Sequence, residues 1–351
     1  AIVAGLSLAL METLSDYGTV SYFGIGVFTT GIFRTWFGLG DSAAAAKLAA
    51  ILLVFVFSLV MLERWSRKRA QYHHATNRYR NLPQYRLQGM PAALAFLACF
   101  TPLFLGFLLP AMQLGSWALE TYQDMVDASF IQLTLNTVLL ALSASVLAVL
   151  LALFLAYGKR VYGGKMISTS IRVVATGYAV PGTVVAVGVM IPFAWFDNSL
   201  DSLMRDHFGI STGLLLSGSL FAVMFAYLVR FLAVSIQSIE AGLSKIKPSM
   251  DDAARSLAYR PMAILGRVHL PLMKGTVLTA LLIVFVDVMK ELPATLILRP
   301  FNFNTLAVRA FELASDERLA DSSTAALMIV AVGLLPVILL SQSISTSRAG
   351  T

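Results

Sequence analysis

The sequence predicts an all-α, polytopic membrane protein, and three observations carry this prediction. Hydrophobic residues make up 58% of the 351 residues and charged residues only 13%, a balance that a soluble core does not absorb. Apolar segments of roughly 20 residues, the length needed to cross a bilayer, recur along the chain. The net charge of +7 lies in a few loops between these segments. It therefore indicates membrane orientation and not nucleic-acid binding.

Taken in order, about eight segments are predicted to span the membrane. The first, residues 1–14, is short, and residue 1 is an alanine already inside an apolar stretch, so we expect the sequence to be a fragment of a longer chain. The other spans are predicted at 43–62, 91–113, 131–157, 169–195, 213–237, 276–298 and 323–344.

The distribution of charge predicts the orientation of these spans. The loop 64–89 carries seven arginines and lysines and no acid, so it is expected to be cytoplasmic, together with 158–165 and 247–275. The loops 114–130 and 197–212 are mainly acidic and are expected to face outward. The sequence thus indicates a multi-pass protein of the cell inner (plasma) membrane.

The loop 247–275 is far more polar than the spans on either side and is predicted to contain a short helix. Ser249 to Asp252 fits the S-x-x-D capping box, which places a helix start there. Small apolar residues on one side of this helix permit close docking against another surface. Pro261 restarts the chain, and Pro271 precedes the next span.

This loop carries a motif known from a protein family. Asp252-Ala253-Ala254, then Ala258, then Val268-His269-Leu270-Pro271 resembles the E-A-A, three residues, G, nine residues, I-x-L-P signature of binding-protein-dependent ABC importer permeases. Aspartate stands for glutamate, valine for isoleucine, and Ala258 for the usual glycine. The resemblance implies the transmembrane domain of a type I ABC importer. It also implies an ATPase-coupling role for Asp252, Ala253, Ala254, Leu257, Ala258, Val268, Leu270 and Pro271; an ordinary amphipathic connector is the alternative.

An internal repeat appears at an offset of 275 residues. It pairs Glu12 with Asp287, Leu14 with Met289, Asp16 with Glu291, Thr30 with Thr305, Arg34 with Arg309 and Asp41 with Asp316. Such self-similarity is typical of two fused halves of one transport pathway. We expect 1–63 to be the C-terminal end of a truncated first half, 64–90 a cytoplasmic linker, and 91–345 a second half that contains the coupling loop 247–275.

The repeated segments resemble a narrower group. The stretches 10–20 and 29–34, and their counterpart from Asp287 to Thr295, are similar to fused two-half ferric-iron permeases. This resemblance implies ferric iron as the cargo. Permeases for thiamine, phosphonate or related anions carry similar segments, so these substrates stay open as alternatives.

Ionisable residues inside the predicted spans are candidates for the transport pathway. Acids at membrane depth are costly and usually face a cavity or a partner. The predicted pathway or gate residues are Glu12, Asp16, Asp287, Glu291 and Arg309. Structural ion pairs with Lys290 or Arg309 are an equal alternative. Arg230 is explained by snorkelling to the membrane surface, or less readily by a pair with Asp287.

The resemblance to ABC importer permeases implies the partners of the chain. No G-x-x-x-x-G-K-[ST] run occurs, so the chain is expected not to be an enzyme, and ATP is expected on a separate ABC ATPase subunit in two copies. The other partners are a periplasmic or extracellular solute-binding protein and the lipid bilayer. No cofactor or metal is predicted on this chain: Cys99 is alone, and the adjacent His73 and His74 lack further ligands. The rival function is an ion-coupled secondary transporter.

Overall fold

The protein is helical throughout the part described by the computed structural model, residues 2–68 and 86–348, and this part contains no β-strand. In chain order the helices are α1 (Ile2–Ser15), α2 (Gly18–Tyr22), α3 (Phe28–Phe33), α4 (Ser42–Lys68), α5 (Met90–Leu103), α6 (Leu109–Met125), α7 (Ala128–Tyr162), α8 (Lys165–Val174), α9 (Gly182–Phe208), α10 (Leu220–Ser244), α11 (Pro248–Ser256), α12 (Pro261–Ile264), α13 (Leu270–Leu272), α14 (Lys274–Met289), α15 (Pro293–Leu298), α16 (Leu306–Ser315) and α17 (Leu319–Arg348). Turns of π-helix extend α3, join α5 to α6, and join α12 to α13.

Six of the described helical segments are long and apolar enough to cross a membrane, and a bent pair raises the number to seven. The six are Ser42–Glu63, Met90–Met125, Ala128–Tyr162, Gly182–Phe208, Leu220–Ser244 and Leu319–Ile338. The bent pair joins the segment 261–272 to α14 at an angle of 82°. The expected all-α polytopic fold is confirmed. The predicted span 1–14, the first along the chain, corresponds to α1, which has only 14 residues.

The predicted span at 169–195 has the wrong bounds, because the chain breaks between α8 and α9 and the span in the structure is Gly182–Phe208. Gly177 lies so close to α10 that a Cβ atom there would be 2.1 Å from the backbone oxygen of Val229. Pro181 then precedes α9, which runs on to Phe208 through a stretch predicted as an outer loop. Helix α6 likewise continues to Met125, so little of the predicted loop 114–130 is irregular.

Small residues let three central helices approach one another. On α7, Ala141, Ala144, Ala148 and Ala152 recur at helical spacing and are almost completely buried. This stripe packs against α10 and α14, and α4 packs against α9. In a bilayer, helices associate through such close contacts because lipid removes the hydrophobic driving force between them. The bundle thereby places α10 and α14 side by side.

The repeat seen in the sequence recurs in the order of the helices. Helices α1 to α4 correspond to α14 to α17 at the same offset: Gly18, which begins α2, corresponds to Pro293, which begins α15. The starts of α16 and α17 differ from the repeat position by no more than three residues. The division into 1–63, 64–90 and 91–345 stays a prediction. Much of the predicted linker, including His73 and His74, lies outside the described residues.

Candidate functional site

The loop 247–275 contains two short helical segments that turn back on each other. Helix α11 begins at Pro248, with Lys247 in an extended conformation before it and without a capping side chain. The predicted capping box is therefore wrong, because proline already supplies the helix start that Ser249 was expected to provide. The second segment, 261–272, leads into the bend before α14.

Ala258 makes the turn between the two segments in a left-handed backbone conformation, with φ at 61°. Its N–H donates to the carbonyl of Arg255 at 2.9 Å, and the N–H of Tyr259 donates to the carbonyl of Ala254 at 3.2 Å. Glycine adopts this conformation without strain, whereas alanine has a Cβ atom that opposes it. The position that departs most from the permease signature thus retains the turn.

The predicted docking residues do not share one exposed face. Asp252, Ala253, Leu257, Ala258 and Pro271 are exposed, and the Leu257 side chain is 73% exposed. Val268 and Leu270 are half-buried. Ala254 is only 7% exposed and packs into its own chain, so it is not available to a partner. The exposed apolar surface of the loop centres on Leu257 and Met262.

A buried polar cluster, which the sequence did not reveal, attaches the loop to the membrane helices. Asp251 on α11 accepts from Arg160 Nε at 2.7 Å and contacts His269 Nε2 at 2.5 Å. Arg160 also donates to the carbonyls of Leu243 and Ile246 at the end of α10. Burial raises the pKa of the Asp251 carboxyl, but the hydrogen bonds and charges of Arg160 and His269 outweigh it and hold the pKa below its ordinary value.

A second region is a cavity of about 570 Å³ where the two repeats meet. It is lined by the ends of α1 and α14, the starts of α2 and α15, and Arg230 on α10. Glu12, Asp16, Asp287 and Glu291 all line it. The structure therefore brings together the four acids that were predicted as pathway residues, one pair from each repeat.

Lys290 bridges the two repeats within this cavity. Its Nζ lies 3.5 Å from Glu12 Oε1 and 3.3 Å from Asp287 Oδ1. Both Lys290 and Glu12 are more than half exposed, whereas Asp287 is largely covered. Asp16 accepts from the backbone N–H of Thr19 at 3.3 Å. Glu12 thus reaches the open part of the cavity, and Lys290 links it to the more covered Asp287.

Glu291 differs from the other three acids, because its carboxylate is engaged in a buried ion pair and in capping a helix. Its side chain is 1% exposed and lies 3.1 Å from Arg230 Nη1, itself 11% exposed. Its two oxygens also accept from the N–H groups of Ala294 and Thr295, which caps α15. Both readings of Arg230 are therefore wrong, because its covered side chain does not reach a surface by snorkelling and its partner is Glu291 instead of Asp287.

Arg309 lies apart from the four acids. It lines a small cavity of about 50 Å³ together with Asp124, Asp127 and Asp321. An ion pair between Arg309 and the acids of the repeat is therefore absent. In residues 2–68 and 86–348, no three histidine, cysteine or carboxylate side chains cluster as a metal-ligand set.

Comparison with known proteins places this geometry in context. No protein-family model matches the chain. It is 26% identical over 347 residues to the Fe(3+)-transport system permease protein FbpB 2 of Haemophilus influenzae. This alignment covers 97% of this chain and 65% of that protein. It is 25% identical over 246 residues to the putative 2-aminoethylphosphonate transport system permease protein PhnV of Salmonella typhimurium, covering 70% of this chain and 85% of PhnV.

Another relative is the ferric transport system permease protein FbpB of Actinobacillus pleuropneumoniae, 22% identical, with 85% of this chain and 44% of that protein covered. The chain thus spans between about half and two thirds of the ferric permeases it matches.

The fold is that of solved ABC importer membrane components. A bacterial alginate ABC transporter, crystallised in complex with an alginate pentasaccharide-bound periplasmic protein, matches with a TM-score of 0.56 at 17% identity. The match covers 71% of this chain and 92% of that one. A second alginate importer structure matches with a TM-score of 0.55 at 15% identity. The chain is thus similar in sequence to ferric and phosphonate transport permeases and in fold to the membrane components of ABC importers, and its described residues contain six or seven candidate membrane spans.

Proposed function

We propose that the chain forms the membrane pathway of an ATP-driven importer whose cargo is ferric iron, delivered by an external solute-binding protein. Separate ATPase subunits, one at each coupling loop, would drive it. The assignment of ferric iron as the cargo rests on the similarity to an Fe(3+)-transport permease over 97% of the chain. The solved alginate importer that shares the fold works with a periplasmic protein, which supports a binding-protein partner here.

The chemistry of the cavity supports a cationic cargo. Four carboxylates line it against two cations, Lys290 and Arg230. Arg230 and Glu291 neutralise each other, which leaves Glu12, Asp16 and Asp287 facing Lys290 alone. Carboxylate oxygens suit hard cations, and a low-dielectric surrounding strengthens their attraction.

A phosphonate or a related anion is the second candidate, and one relative and one residue favour it. PhnV is similar over 70% of the chain, and the half-exposed ammonium group of Lys290 lies in the cavity, where it could bind an anion. An ion-coupled secondary transporter has less support, because it gives no role to the exposed apolar surface around Leu257.

Transport by reconstituted full-length protein tests the cargo. The protein, its ATPase and its binding protein are placed in liposomes, and ATP-dependent uptake of ferric iron and of 2-aminoethylphosphonate is measured. We expect iron uptake, and a several-fold lower rate in Glu12→Gln and Asp287→Asn. The control is Glu120→Gln, an exposed acid on α6 outside the cavity. Phosphonate uptake without iron uptake would refute the cargo assignment.

The docking part of the proposal has its own test. Leu257→Asp places a charge in the exposed apolar surface of the loop and should reduce co-purification of the ATPase several-fold. Met166→Asp on α8 is the matched control, since Met166 is 84% exposed and lies outside the loop. Equal ATPase recovery with both variants would contradict docking at Leu257.

A further inference from the structure

The cluster of Arg160, Asp251 and His269 joins four elements through one carboxylate. Asp251 lies on α11, the first segment of the coupling loop, and its two oxygens take different partners. Oδ2 accepts from Arg160 near the end of α7, and Oδ1 contacts His269 in the second segment, which leads into α14. Arg160 in turn donates to two carbonyls at the end of α10.

These contacts are buried, which restricts the movement of the side chains that make them. His269 is 0% exposed, and its Nδ1 atom has no hydrogen-bond partner, so its polar contact is with Asp251. The ring of Tyr157 on α7 packs edge-on against His269, and its hydroxyl donates to the carbonyl of Pro261 at 2.7 Å. Charge-assisted hydrogen bonds in such surroundings are stronger than exposed ones.

The helices that meet at this cluster also carry the cavity. Helices α7, α10 and α14 pack closely against one another. Arg230 lies on α10, and α14 carries Asp287 and ends beside Lys290 and Glu291. A displacement of α11 that moves the cluster therefore also moves α7, α10 and α14, and through α10 and α14 it reaches the cavity.

We propose that Asp251 is the positioning residue through which movement of the coupling loop is transmitted to the cavity helices. This inference rests on the proposed coupling to an ATPase and extends it to a residue outside the family signature. The exposed surface around Leu257 meets the partner, whereas Asp251 converts that contact into a joint movement of α7, α10 and α14. The neighbouring Asp252 is 72% exposed at its side chain and has no such link to the membrane helices.

The test compares cargo imported per ATP hydrolysed in the reconstituted full-length complex. Asp251→Asn preserves shape and removes the charge that holds Arg160 and His269. We expect the variant complex to assemble and hydrolyse ATP, while the import-to-hydrolysis ratio falls at least about fivefold, the lower end of usual coupling between sites. Asp206→Asn, the control at an exposed aspartate of α9 that lies outside both the coupling loop and the cavity, should leave the ratio unchanged. Import and hydrolysis that fall in proportion would overturn the inference.

A second pair of variants decides the matter if Asp251→Asn does not assemble. His269→Gln keeps a donor toward Asp251, and His269→Leu does not. We expect the glutamine variant to retain a higher import-to-hydrolysis ratio than the leucine variant, and equal ratios would overturn the inference. Failure of the unmodified complex to import with ATP would instead refute the proposed function, so the two failures are distinguishable.

Discussion

Replacing Glu291 by glutamine should destabilise the protein rather than only slow transport. Glu291 accepts from four donors: Arg230 Nη1, the N–H of Ala294, and the N–H and hydroxyl of Thr295, at 2.9 to 3.1 Å. Glutamine has one oxygen and presents an amide N–H₂ group where the second oxygen lay. At least one buried N–H then faces another donor, and Arg230 loses the negative charge that compensates its own.

The magnitude follows from the burial of the pair. Removing one partner of a buried ion pair costs about 3–5 kcal/mol, because the other charge stays uncompensated. Glutamine keeps one acceptor, so we expect the lower end, about 3 kcal/mol. A loss of this size should lower the thermal midpoint by several degrees. Asp16→Asn, the symmetric change in the other repeat, should cost about 0.5 kcal/mol or less, since asparagine can still accept from Thr19.

The assay is the yield and thermal midpoint of purified protein in detergent for Glu291→Gln and Asp16→Asn. The double variant Arg230→Met with Glu291→Gln should recover part of the loss, because it removes the stranded charge. A Glu291→Gln protein with unchanged yield and midpoint but impaired transport would refute the structural role of this acid and restore it to the pathway.

Three further predictions concern backbone conformation and topology. Ala258→Gly should stabilise the coupling loop by about 0.5–1 kcal/mol, since glycine relieves the left-handed strain but loses some of that gain to unfolded-chain entropy, and slower amide hydrogen exchange in the loop would show it. Gly177→Ala should lower the thermal midpoint, because its Cβ atom would lie 2.1 Å from a backbone oxygen, whereas Gly188→Ala, with no atom within 4 Å, should leave the midpoint unchanged or raise it. In a cysteine-free background, a membrane-impermeant thiol reagent should label cells that carry Ser199→Cys and not cells that carry Ser66→Cys, and labelling of Ser66→Cys would reverse the predicted orientation.

The features that depend on composition and spacing could be predicted from the sequence. Long apolar runs predicted most of the spans, and the repeat predicted that acids from two distant segments meet at one cavity, as Glu12 and Asp287 do. The boundaries of spans were harder, because polar residues do not end a helix when they find partners. Asp197 stays inside α9, for example, since its carboxylate accepts from the N–H groups of Leu216 and Ser217.

The roles of individual charges could not be predicted, because they depend on which helices become neighbours. Spacing places Asp287 and Glu291 on one helix face, but the chain leaves the helix after Met289, and Glu291 turns toward α10. The aspartate pair at the start of α11 shows the same limit. Pro248 was the signal that the helix begins before Ser249, and the acid that makes specific contacts is Asp251, in the buried cluster, and not Asp252 of the predicted capping box.

The position of Lys290 has a mechanical consequence for the cavity. Of its two contacts, the one with Asp287 lies within its own repeat and is largely covered, whereas the one with Glu12 joins the two repeats. Lys290 and Glu12 are both more than half exposed, and such exposed pairs contribute only about 0–1 kcal/mol. Separating α1 from α14 therefore costs little in electrostatic energy, whereas separating α15 from α10 must break the buried pair of Arg230 and Glu291. One wall of the cavity is compliant and the other is rigid. A cation of higher charge than the Lys290 ammonium group would compete for both carboxylates, so such a cargo would replace Lys290 as the link between α1 and α14 while it is bound.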